Sequence, residues 1–262
     1  MDRSRPLLFI PTYNEHENVE RLFREIAELP LDLDVLFMDD ASPDGTGEIL
    51  DRLAAGTARV TVVHRPSKRG IGSAHRDGIR YAYRHGYRTL ITMDSDLTHP
   101  TKRIPEFAAH ALTHDVVLGS RFVRKESLAG WDPVRTFLTH LGHFLTRTLL
   151  KVPYDATGGF RVYRLDRIDP RVFELVRSDG YAFLFESLFQ LCRYGVAVKE
   201  LPIDLPKRTY GHSKMRVSDV FASVRRLVAL WIGSFRTAGQ VRSLRAARAE
   251  LLTADPASAE DP

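Results

Sequence analysis

Short apolar runs recur along the first half of the chain and alternate with longer amphipathic segments. The runs are brief and rich in β-branched residues, which predicts buried strands. Between them, as in the segments after Tyr13 and Gly70, apolar residues return every three or four positions, and this spacing predicts helices. The predicted strands cover residues 7–10, 35–38, 60–63, 90–93 and 116–118.

The alternation of strands and helices predicts an α/β fold, in which a mostly parallel sheet is flanked by helices. Ligands of such sheets bind beyond the carboxyl ends of the strands. Polar clusters follow four of the predicted strands, so we expect them to converge on one cleft. These clusters lie at residues 11–15, 39–40, 94–96 and 119–121.

In the second half of the chain, helical spacing dominates. After Arg236 the composition becomes rich in Arg and Ala, and the last ten residues lack apolar side chains to bury, which predicts a disordered end. We therefore expect one domain over residues 1–236 and a basic, then disordered, tail over 237–262. Within the domain we expect helices at 133–150, 184–193 and 217–235, a glycine turn at 157–159 and a strand at 196–205.

The composition is that of an ordinary globular protein, with 262 residues of which 44% are hydrophobic and 27% charged. The lone Cys192 forms no internal disulfide, which favours a reducing compartment. No stretch reaches the roughly 18 apolar residues of a membrane-spanning helix. The apolar run after Pro6 is too short for a signal peptide. Together these features favour a cytoplasmic location.

The formal net charge is +5, which suits an anionic partner such as a nucleotide, an acidic lipid headgroup or nucleic acid. Charge alone does not choose among these partners. The basic residues are dispersed and no nucleic-acid recognition motif is present, so we do not expect nucleic acid to bind.

Two aspartates, Asp94 and Asp96, flank Ser95 directly after the fourth predicted strand. Carboxylates at a strand end can share Mg²⁺ or Mn²⁺, because such ions prefer oxygen ligands and leave positions open for substrate phosphates. The alternative is a polar turn whose aspartates cap a helix, and an isolated Asp-x-Asp is more often that. The motif therefore gains meaning only from its neighbours.

The other clusters suit a nucleotide, although each has an ordinary explanation. Tyr13 could stack on a base and Glu15 could accept a hydrogen bond, whereas helix capping is the alternative for that segment. Asp40 could bond a ribose hydroxyl or a base, while Asp44 suits turn chemistry. The segment 68–74 combines two cations with a glycine turn at a helix N-terminus, which suits phosphates but is common.

Taken in order, these motifs resemble the family 2 glycosyltransferases, and within them the dolichol-phosphate mannosyltransferase group that charges polyprenyl phosphates. The resemblance extends over residues 7–215, and eight motifs in the same order make it far more specific than any one of them. The motifs are PTYNE at 11–15, DDASPDGT at 39–46, KRGIGSAHRDGIRYA at 68–82, MDSDLTHP at 93–100, GSRF at 119–122, TGGFRVYR at 157–164, GYAFLFE at 180–186 and RTYGHSK at 208–214.

The resemblance implies a GT-A fold, which is Rossmann-like, with a pocket for a nucleotide-sugar donor and Mg²⁺ or Mn²⁺. The family commonly has Gln two residues after the second aspartate, sometimes as a metal ligand. This sequence has Thr98 there, so the third ligand is open between the Thr98 hydroxyl and a water. The donor-pocket residues that the resemblance implies are Pro11, Tyr13, Glu15, Asp40, Ala74, Asp94, Ser95, Asp96, Arg208 and Lys214, of which the last two would hold the diphosphate.

The resemblance also implies a site for a lipid phosphate. Arg121 and Arg135, with Thr139 nearby, would face this phosphate, while ordinary surface exposure is the alternative for Arg135. A phosphate monoester has a second pKa near about 6, so it arrives as an anion and needs no general base. Asp96 is therefore assigned to the metal, and Asp96, Asp94 and Arg121 are the predicted catalytic residues of an in-line, inverting transfer.

The implied function is transfer of a hexose, with mannose favoured, from a nucleotide diphosphosugar, with GDP-mannose favoured, to polyprenyl or dolichyl phosphate. Three alternatives stay open: a UDP-sugar donor such as UDP-glucose, a soluble hydroxyl acceptor, and a non-catalytic module that binds sugar nucleotide or lipid. The aspartate pair together with Arg208 and Lys214 argues against the last. The sequence leaves the oligomeric state open.

Two amphipathic segments, 133–151 and 217–236, are candidates for contact with a membrane surface. Each combines an apolar stripe with flanking arginines, which suits a helix lying in the interface. The alternative is that both helices pack on the sheet or form a dimer contact. A lipid acceptor favours the membrane, so we expect peripheral association with the cytoplasmic face.

Overall fold

The computed structural model describes most of the chain. The described residues are 4–124, 127, 133–205, 217–234, 239, 243–246 and 248–249. The strands are β1 Leu7–Thr12, β2 Asp34–Asp39, β3 Val60–His64, β4 Thr89–Thr92, β5 Val116–Ser120, β6 Arg161–Arg164 and β7 Val198–Pro202. Within the described residues these seven strands form one sheet, in the order β3-β2-β1-β4-β6-β5-β7.

Each helix packs one apolar side against the sheet or against another helix. The helices are α1 Val19–Ala27, α2 Thr46–Ala55, α3 Ile71–Arg84, α4 Ile104–His110, α5 Pro133–Leu149, α6 Arg171–Glu174, α7 Ala182–Tyr194 and α8 Val217–Ser234. All strands and helices expected from the apolar pattern are present, with ends that shift by a few residues. The largest shift is in β7, which is confined to 198–202 within the expected 196–205.

The sheet is buried on both faces, as a parallel sheet between helices must be. Alternate residues of β1 enter opposite apolar clusters: Leu7 and Phe9 belong to one, Leu8 and Ile10 to the other. The first cluster includes residues of α3, α6, α7 and α8. The second includes residues of α1, α2 and α4. Function must therefore lie at an end of the strands and not on a face of the sheet.

Strand β6 runs antiparallel to both of its neighbours, β4 and β5, and the apolar pattern did not predict it. The strand is short, and Arg161 and Arg164 at its two ends give it a polar sequence. Arg161 is nevertheless buried, because its guanidinium donates to the carbonyl oxygens of Ala156, Gly158 and Leu184. The strand thus fixes the turn at 157–159 against α7.

Among the described residues, no helix is long and apolar enough to cross a membrane. The basic C-terminal segment makes contacts with the sheet domain: Arg245 Nε donates to the Arg193 carbonyl at 2.7 Å, and Arg248 pairs with Asp115. The expected disordered end at 253–262 lies outside the described residues.

Candidate active site

A cavity of about 380 Å³ opens at the carboxyl ends of β1, β2 and β4, where three of the four polar clusters converge as expected, whereas the cluster at 119–121 does not line it. Eight of the ten residues expected around the donor line this cavity: Pro11, Tyr13, Glu15, Asp40, Ala74, Asp94, Ser95 and Asp96. The other two, Arg208 and Lys214, lie outside the described residues. The remaining lining residues are Thr12, Lys68, Gly70, Ile71, Gly180, Tyr181, Ser218 and Asp219.

The loop after β1 is held by the loop after β2. The backbone N–H of Asn14 donates to Ser42 Oγ at 2.9 Å, and that of Glu15 donates to Thr46 Oγ1 at 2.9 Å. Asn14 has φ 53° and Ala41 has φ 58°, a left-handed conformation that costs free energy for residues other than glycine. The two loops therefore hold each other in a conformation that neither would prefer alone.

Asp44 shapes this pair of loops and does not line the cavity. Its carboxylate accepts hydrogen bonds from the backbone N–H of Thr46 at 3.1 Å and of His16 at 3.3 Å. Burial by itself raises the pKa of Asp44, but the hydrogen bonds from Thr46 and His16 outweigh it and lower this pKa. The expectation that Asp44 serves the turn agrees with these contacts.

Asp40 forms the corner of the cavity between β2 and the segment that leads into α3. Its carboxylate accepts Arg65 Nη1 at 2.7 Å, the backbone N–H of Arg69 at 3.0 Å and that of Gly70 at 2.9 Å. A carboxylate offers about four lone-pair directions, so these donors occupy most of its capacity. Asp40 therefore fixes the 68–70 segment, whose Lys68 ammonium lies 3.7 Å from the centre of the Tyr13 ring.

The aspartate pair follows β4 in a tight loop stabilised by its own side chains. The backbone N–H of Asp94 donates to Nδ1 of the buried His99 at 2.9 Å. Thr98 donates to Asp96 Oδ1 twice, from its hydroxyl at 2.6 Å and from its backbone N–H at 3.1 Å. Leu97, between them, has φ 59°. The loop therefore presents both carboxylates to the cavity in a fixed arrangement.

The turn at 157–159 closes against Asp94 from the neighbouring strand. Thr92 Oγ1 donates to the Gly159 carbonyl at 2.7 Å. A Cβ added at Gly159 would lie 3.1 Å from Asp94 Oδ1, so only glycine leaves this carboxylate its full room. Sequence analysis noted the glycine turn and His99 but gave neither a role, because both act through contacts distant in sequence or internal to the loop.

The two carboxylates fit a hard divalent cation, since both line a cavity of nucleotide size and supply oxygen ligands. Among the described residues no set of three or more His, Cys, Asp or Glu side chains is arranged around a common point for an ion. Phosphate oxygens of a donor would have to complete the ligand set, as is usual for Mg²⁺. Thr98 does not line the cavity, and its hydroxyl orients Asp96.

Arg121, at the carboxyl end of β5, is tied to a buried carboxylate. Its Nε donates to Asp155 Oδ2 at 2.8 Å and its Nη2 to Asp155 Oδ1 at 2.6 Å, and Nη2 also contacts the Thr157 hydroxyl. Burial by itself lowers the pKa of Arg121, but the attraction of Asp155 outweighs it and raises this pKa. For Asp155, burial raises the pKa, and the charge of Arg121 brings it below the ordinary value.

The other residues expected at the acceptor phosphate lie on α5, which runs beside Arg121. Phe122 stacks on His143 of α5 with ring centroids 3.9 Å apart. Thr139 is half-buried on the same helix, and the side chain of Arg135 lies outside the described residues. Arg121, Thr157 and α5 thus form one region next to the donor cavity, although Arg121 itself does not line that cavity.

Gly180, Tyr181, Ser218 and Asp219 also line the cavity, and sequence analysis assigned them no role. The motif at 180–186 is one of the eight motifs of the resemblance, but no individual residue of it is predicted to bind the donor. The two polar residues come from the first turn of α8, whose approach to the strand ends depends on tertiary packing. Spacing along the chain carries no signal for such a contact.

The family model described as "Glycosyl transferase family 2" matches residues 8–169, which include β1 to β6 and the loops that form the cavity. The chain belongs to glycosyltransferase family 2. The resemblance drawn from the eight motifs is thereby confirmed, as is the α/β, GT-A-like fold.

Two curated relatives of this family 2 chain are bacterial. An undecaprenyl-phosphate mannosyltransferase of Micrococcus luteus is 35% identical over 235 residues, which cover 87% of this chain and 97% of the relative. A polyprenol monophosphomannose synthase of Mycolicibacterium smegmatis is 35% identical over 219 residues, covering 82% and 83% of the two chains.

Solved structures of other glycosyltransferases share the fold at low identity. Glucosyl-3-phosphoglycerate synthase from Mycobacterium tuberculosis, in complex with Mn²⁺, UDP and glucosyl-3-phosphoglycerate, has a TM-score of 0.61 and 18% identity, covering 88% of this chain and 79% of that one. TarS of S. aureus, in complex with UDP-GlcNAc, has a TM-score of 0.59 and 17% identity, covering 94% and 72%. At this identity the likeness concerns the fold.

Proposed function

We propose that this glycosyltransferase transfers mannose from a nucleotide diphosphomannose, with GDP-mannose favoured, to a polyprenyl phosphate. The observation that carries the proposal is similarity to a mannosyltransferase that acts on undecaprenyl phosphate. That relative is 35% identical to this chain, and the alignment covers 97% of the relative. The eight donor residues gathered around one cavity support it, because that cavity has the size and polarity to hold a nucleotide.

The donor would lie across the ends of β1, β2 and β4. Tyr13 and Lys68 would contact the base and ribose, while the diphosphate would reach Asp94 and Asp96 through Mg²⁺ or Mn²⁺, with Arg208 and Lys214 as further cations. A divalent ion there would neutralise charge on the leaving nucleoside diphosphate. The hydroxyl of Thr98 keeps Asp96 oriented toward this position.

The acceptor phosphate would attack the anomeric carbon as an anion, which needs no general base. Arg121, with Arg135 and Thr139 on α5, would hold that phosphate opposite the leaving group. Arg121 is already paired with Asp155. Its guanidinium would therefore be fixed in position and partly neutralised, so it would donate hydrogen bonds to the phosphate and leave the phosphate nucleophilic. The attack is in-line and inverts the anomeric configuration.

Peripheral contact with a membrane would bring the enzyme to its lipid. On α5 the side chains of Phe137 and Phe144 are 64% and 59% exposed, and on α8 those of Phe221 and Trp231 are 72% and 42% exposed. The two helices pack against each other, so these aromatic residues belong to one surface region. We further propose that residues 1–236 act as a single GT-A domain at the cytoplasmic face of the membrane.

The test is transfer of labelled sugar into an organic-extractable product. The full chain is incubated with GDP-mannose, UDP-glucose or UDP-GlcNAc, with polyprenyl phosphate in vesicles, with Mg²⁺, Mn²⁺ or a chelator. We expect label from GDP-mannose, lost on chelation. Parallel reactions offer a soluble oligosaccharide as acceptor. Label from a UDP-sugar alone would contradict the proposed donor, and transfer only to the oligosaccharide would contradict the proposed acceptor.

A further inference from the structure

Glu186 of α7 is completely buried, and its carboxylate connects two separate parts of the molecule. On one side it accepts the backbone N–H groups of Arg177 at 2.9 Å and Ser178 at 3.1 Å, and also the Ser178 hydroxyl. On the other side it accepts the guanidinium of Arg226, from Nε at 3.0 Å and from Nη2. A buried carboxylate requires such compensation, so these contacts depend on one another.

The segment that Glu186 holds, residues 177–181, forms a wall of the donor cavity. Gly180 and Tyr181 line the cavity directly. The segment also closes on the start of α3, where the Ser73 N–H donates to the Asp179 carbonyl at 3.1 Å. A Cβ at Gly72 would lie 2.6 Å from the Gly180 carbonyl, so the two segments are in close contact. A shift of 177–181 would change the shape of the cavity.

The helix that supplies Arg226 contacts both the cavity and the surface. Ser218 and Asp219, in the first turn of α8, line the donor cavity. Further along, Phe221, Val224, Val228, Trp231 and Ile232 form an exposed apolar face of the same helix. Arg226 lies between these regions on the inner side, with 27% of its side chain exposed.

We propose that Glu186 and Arg226 are positioning residues that couple α8 to the donor cavity, so that membrane contact of α8 sets the affinity for nucleotide sugar. This inference rests on the proposed function and adds a regulation of the same site. When a membrane covers the apolar face, α8 is fixed, Arg226 stays on Glu186, and the wall at 177–181 closes on the donor. Without a membrane, α8 keeps only its inner contacts with α5 and α7, so the contact of Arg226 with Glu186 breaks more often and that wall loosens.

The experiment compares Arg226→Gln with Arg225→Gln. Both variants remove one positive charge from α8, but Arg225 is exposed and only Arg226 contacts Glu186. With a short-chain, water-soluble prenyl phosphate as acceptor, KM for the nucleotide sugar and kcat are measured with and without vesicles of phosphatidylcholine and phosphatidylglycerol. Vesicle sedimentation is measured in parallel.

In the unmodified protein we expect vesicles to lower the donor KM roughly tenfold with little change in kcat, within the usual range of coupling between two sites. Arg225→Gln should keep this response at saturating vesicles. Arg226→Gln should lose it while sedimenting with vesicles as Arg225→Gln does. Arg226→Lys, which keeps the charge but not the two-pronged contact, should restore part of the response.

Arg226→Gln leaves Glu186 buried without its cation and could lower stability, so the double variant Glu186→Gln with Arg226→Gln is included. It removes both charges and should also lose the vesicle response while folding, as judged by circular dichroism. Equal vesicle responses in Arg225→Gln and in the folded Arg226 variants, or no response in the unmodified protein, would overturn the coupling. Absence of transfer by the unmodified protein with every donor would instead refute the proposed function.

Discussion

The predicted donor side and the predicted acceptor side of this enzyme differ in how far contacts within the chain fix and cover them. The loops after β1 and β2 are bonded to each other, as Asn14 to Ser42 illustrates, and the loop after β4 is bonded within itself, as Thr98 to Asp96 illustrates. On the acceptor side, α5 and α8 leave large apolar residues such as Phe137 and Phe221 in the open. The donor loops are therefore preformed, whereas α5 and α8 leave an apolar surface exposed.

Backbone strain follows the same division. Of the four described non-glycine residues with positive φ, three lie in the donor loops: Asn14, Ala41 and Leu97. Such conformations persist only where surrounding bonds enforce them. The donor loops have these bonds, so this part of the cavity keeps its shape before any ligand arrives.

The largest expected effect concerns the aspartate pair. Asp96→Asn keeps the shape of the side chain and the hydrogen bond from Thr98, but removes the charge that a cation and diphosphate require. We expect kcat/KM to fall at least about 1000-fold. Steady-state transfer assays measure it, with the exposed Asp51→Asn as a control that should retain activity. A loss below tenfold would mean that the donor side does not depend on this carboxylate.

The next effect concerns the ion pair between Arg121 and Asp155, which lies between the two sides. Asp155→Asn leaves Arg121 buried without its counter-charge, which should lower the free energy of unfolding by about 3 kcal/mol. The exposed Asp32→Asn is the control, with an expected change under about 1 kcal/mol. Urea unfolding measures both.

The lowered pKa of Asp155 makes the stabilisation by this ion pair depend on pH. Since folding lowers this pKa, the stabilisation is complete above the unfolded value near about 4 and is lost as pH falls through the lower folded value. The acid limb of the stability curve should therefore flatten in Asp155→Asn. Equal acid limbs in variant and parent would contradict the assignment.

A third effect concerns the packing beneath the donor cavity, where His75 follows Ala74. The ring is buried between Phe9 and Phe183, and neither nitrogen has a hydrogen-bond partner among the described residues. Burial lowers the pKa of His75 to about 3. Below pH about 6.5 the unfolded chain gains a proton that the folded one does not, so stability should fall by about 1.4 kcal/mol per pH unit.

His75→Phe removes that proton and should reduce the slope of stability against pH between about 6 and 4. Chemical unfolding across this range measures it. His85→Phe is the control, because this histidine is exposed and lies away from the buried His75 ring. An unchanged slope in His75→Phe would show that the imidazole is hydrated or paired in solution.

The smallest effect tests the open side. Phe137→Ser removes one exposed aromatic ring and should weaken binding to anionic vesicles by about 1 kcal/mol, or fivefold, without lowering stability. Leu112→Ser removes an equally exposed apolar residue after α4, away from α5 and α8, and should leave vesicle binding unchanged. Equal losses of vesicle binding in the two variants would show that the exposed residues of α5 bind the membrane no better than Leu112 does.

Much of the donor side could be predicted from the sequence, because its residues follow strand ends and strands are read from short apolar runs. Tyr13, Asp40 and Asp94 each come directly after such a run, and parallel strands bring these ends together. Their location in one cavity agrees with that prediction, while their roles remain predictions until they are tested.

What the sequence did not reveal is held by contacts between distant segments. Arg161 and Arg164 give β6 a polar sequence, so the apolar pattern does not predict this strand, although the Arg161 guanidinium is buried among carbonyl groups. Asp155 precedes the predicted turn at 157–159, and Glu186 lies in the predicted helix at 184–193, where the spacing gives neither carboxylate a partner. Their partners, Arg121 and Arg226, lie 34 and 40 residues away, a separation at which periodicity carries no information.

The antiparallel β6 also separates the two parts of the predicted site. It lies between β4, which leads to Asp94 and Asp96, and β5, which ends next to Arg121, and Arg161 pairs with Thr92 on one side and Leu118 on the other. Adjacent strands are about 4.8 Å apart, so the ends of β4 and β5 are about 10 Å apart. Main-chain hydrogen bonds set this spacing, so side-chain substitutions in the loops leave it unchanged.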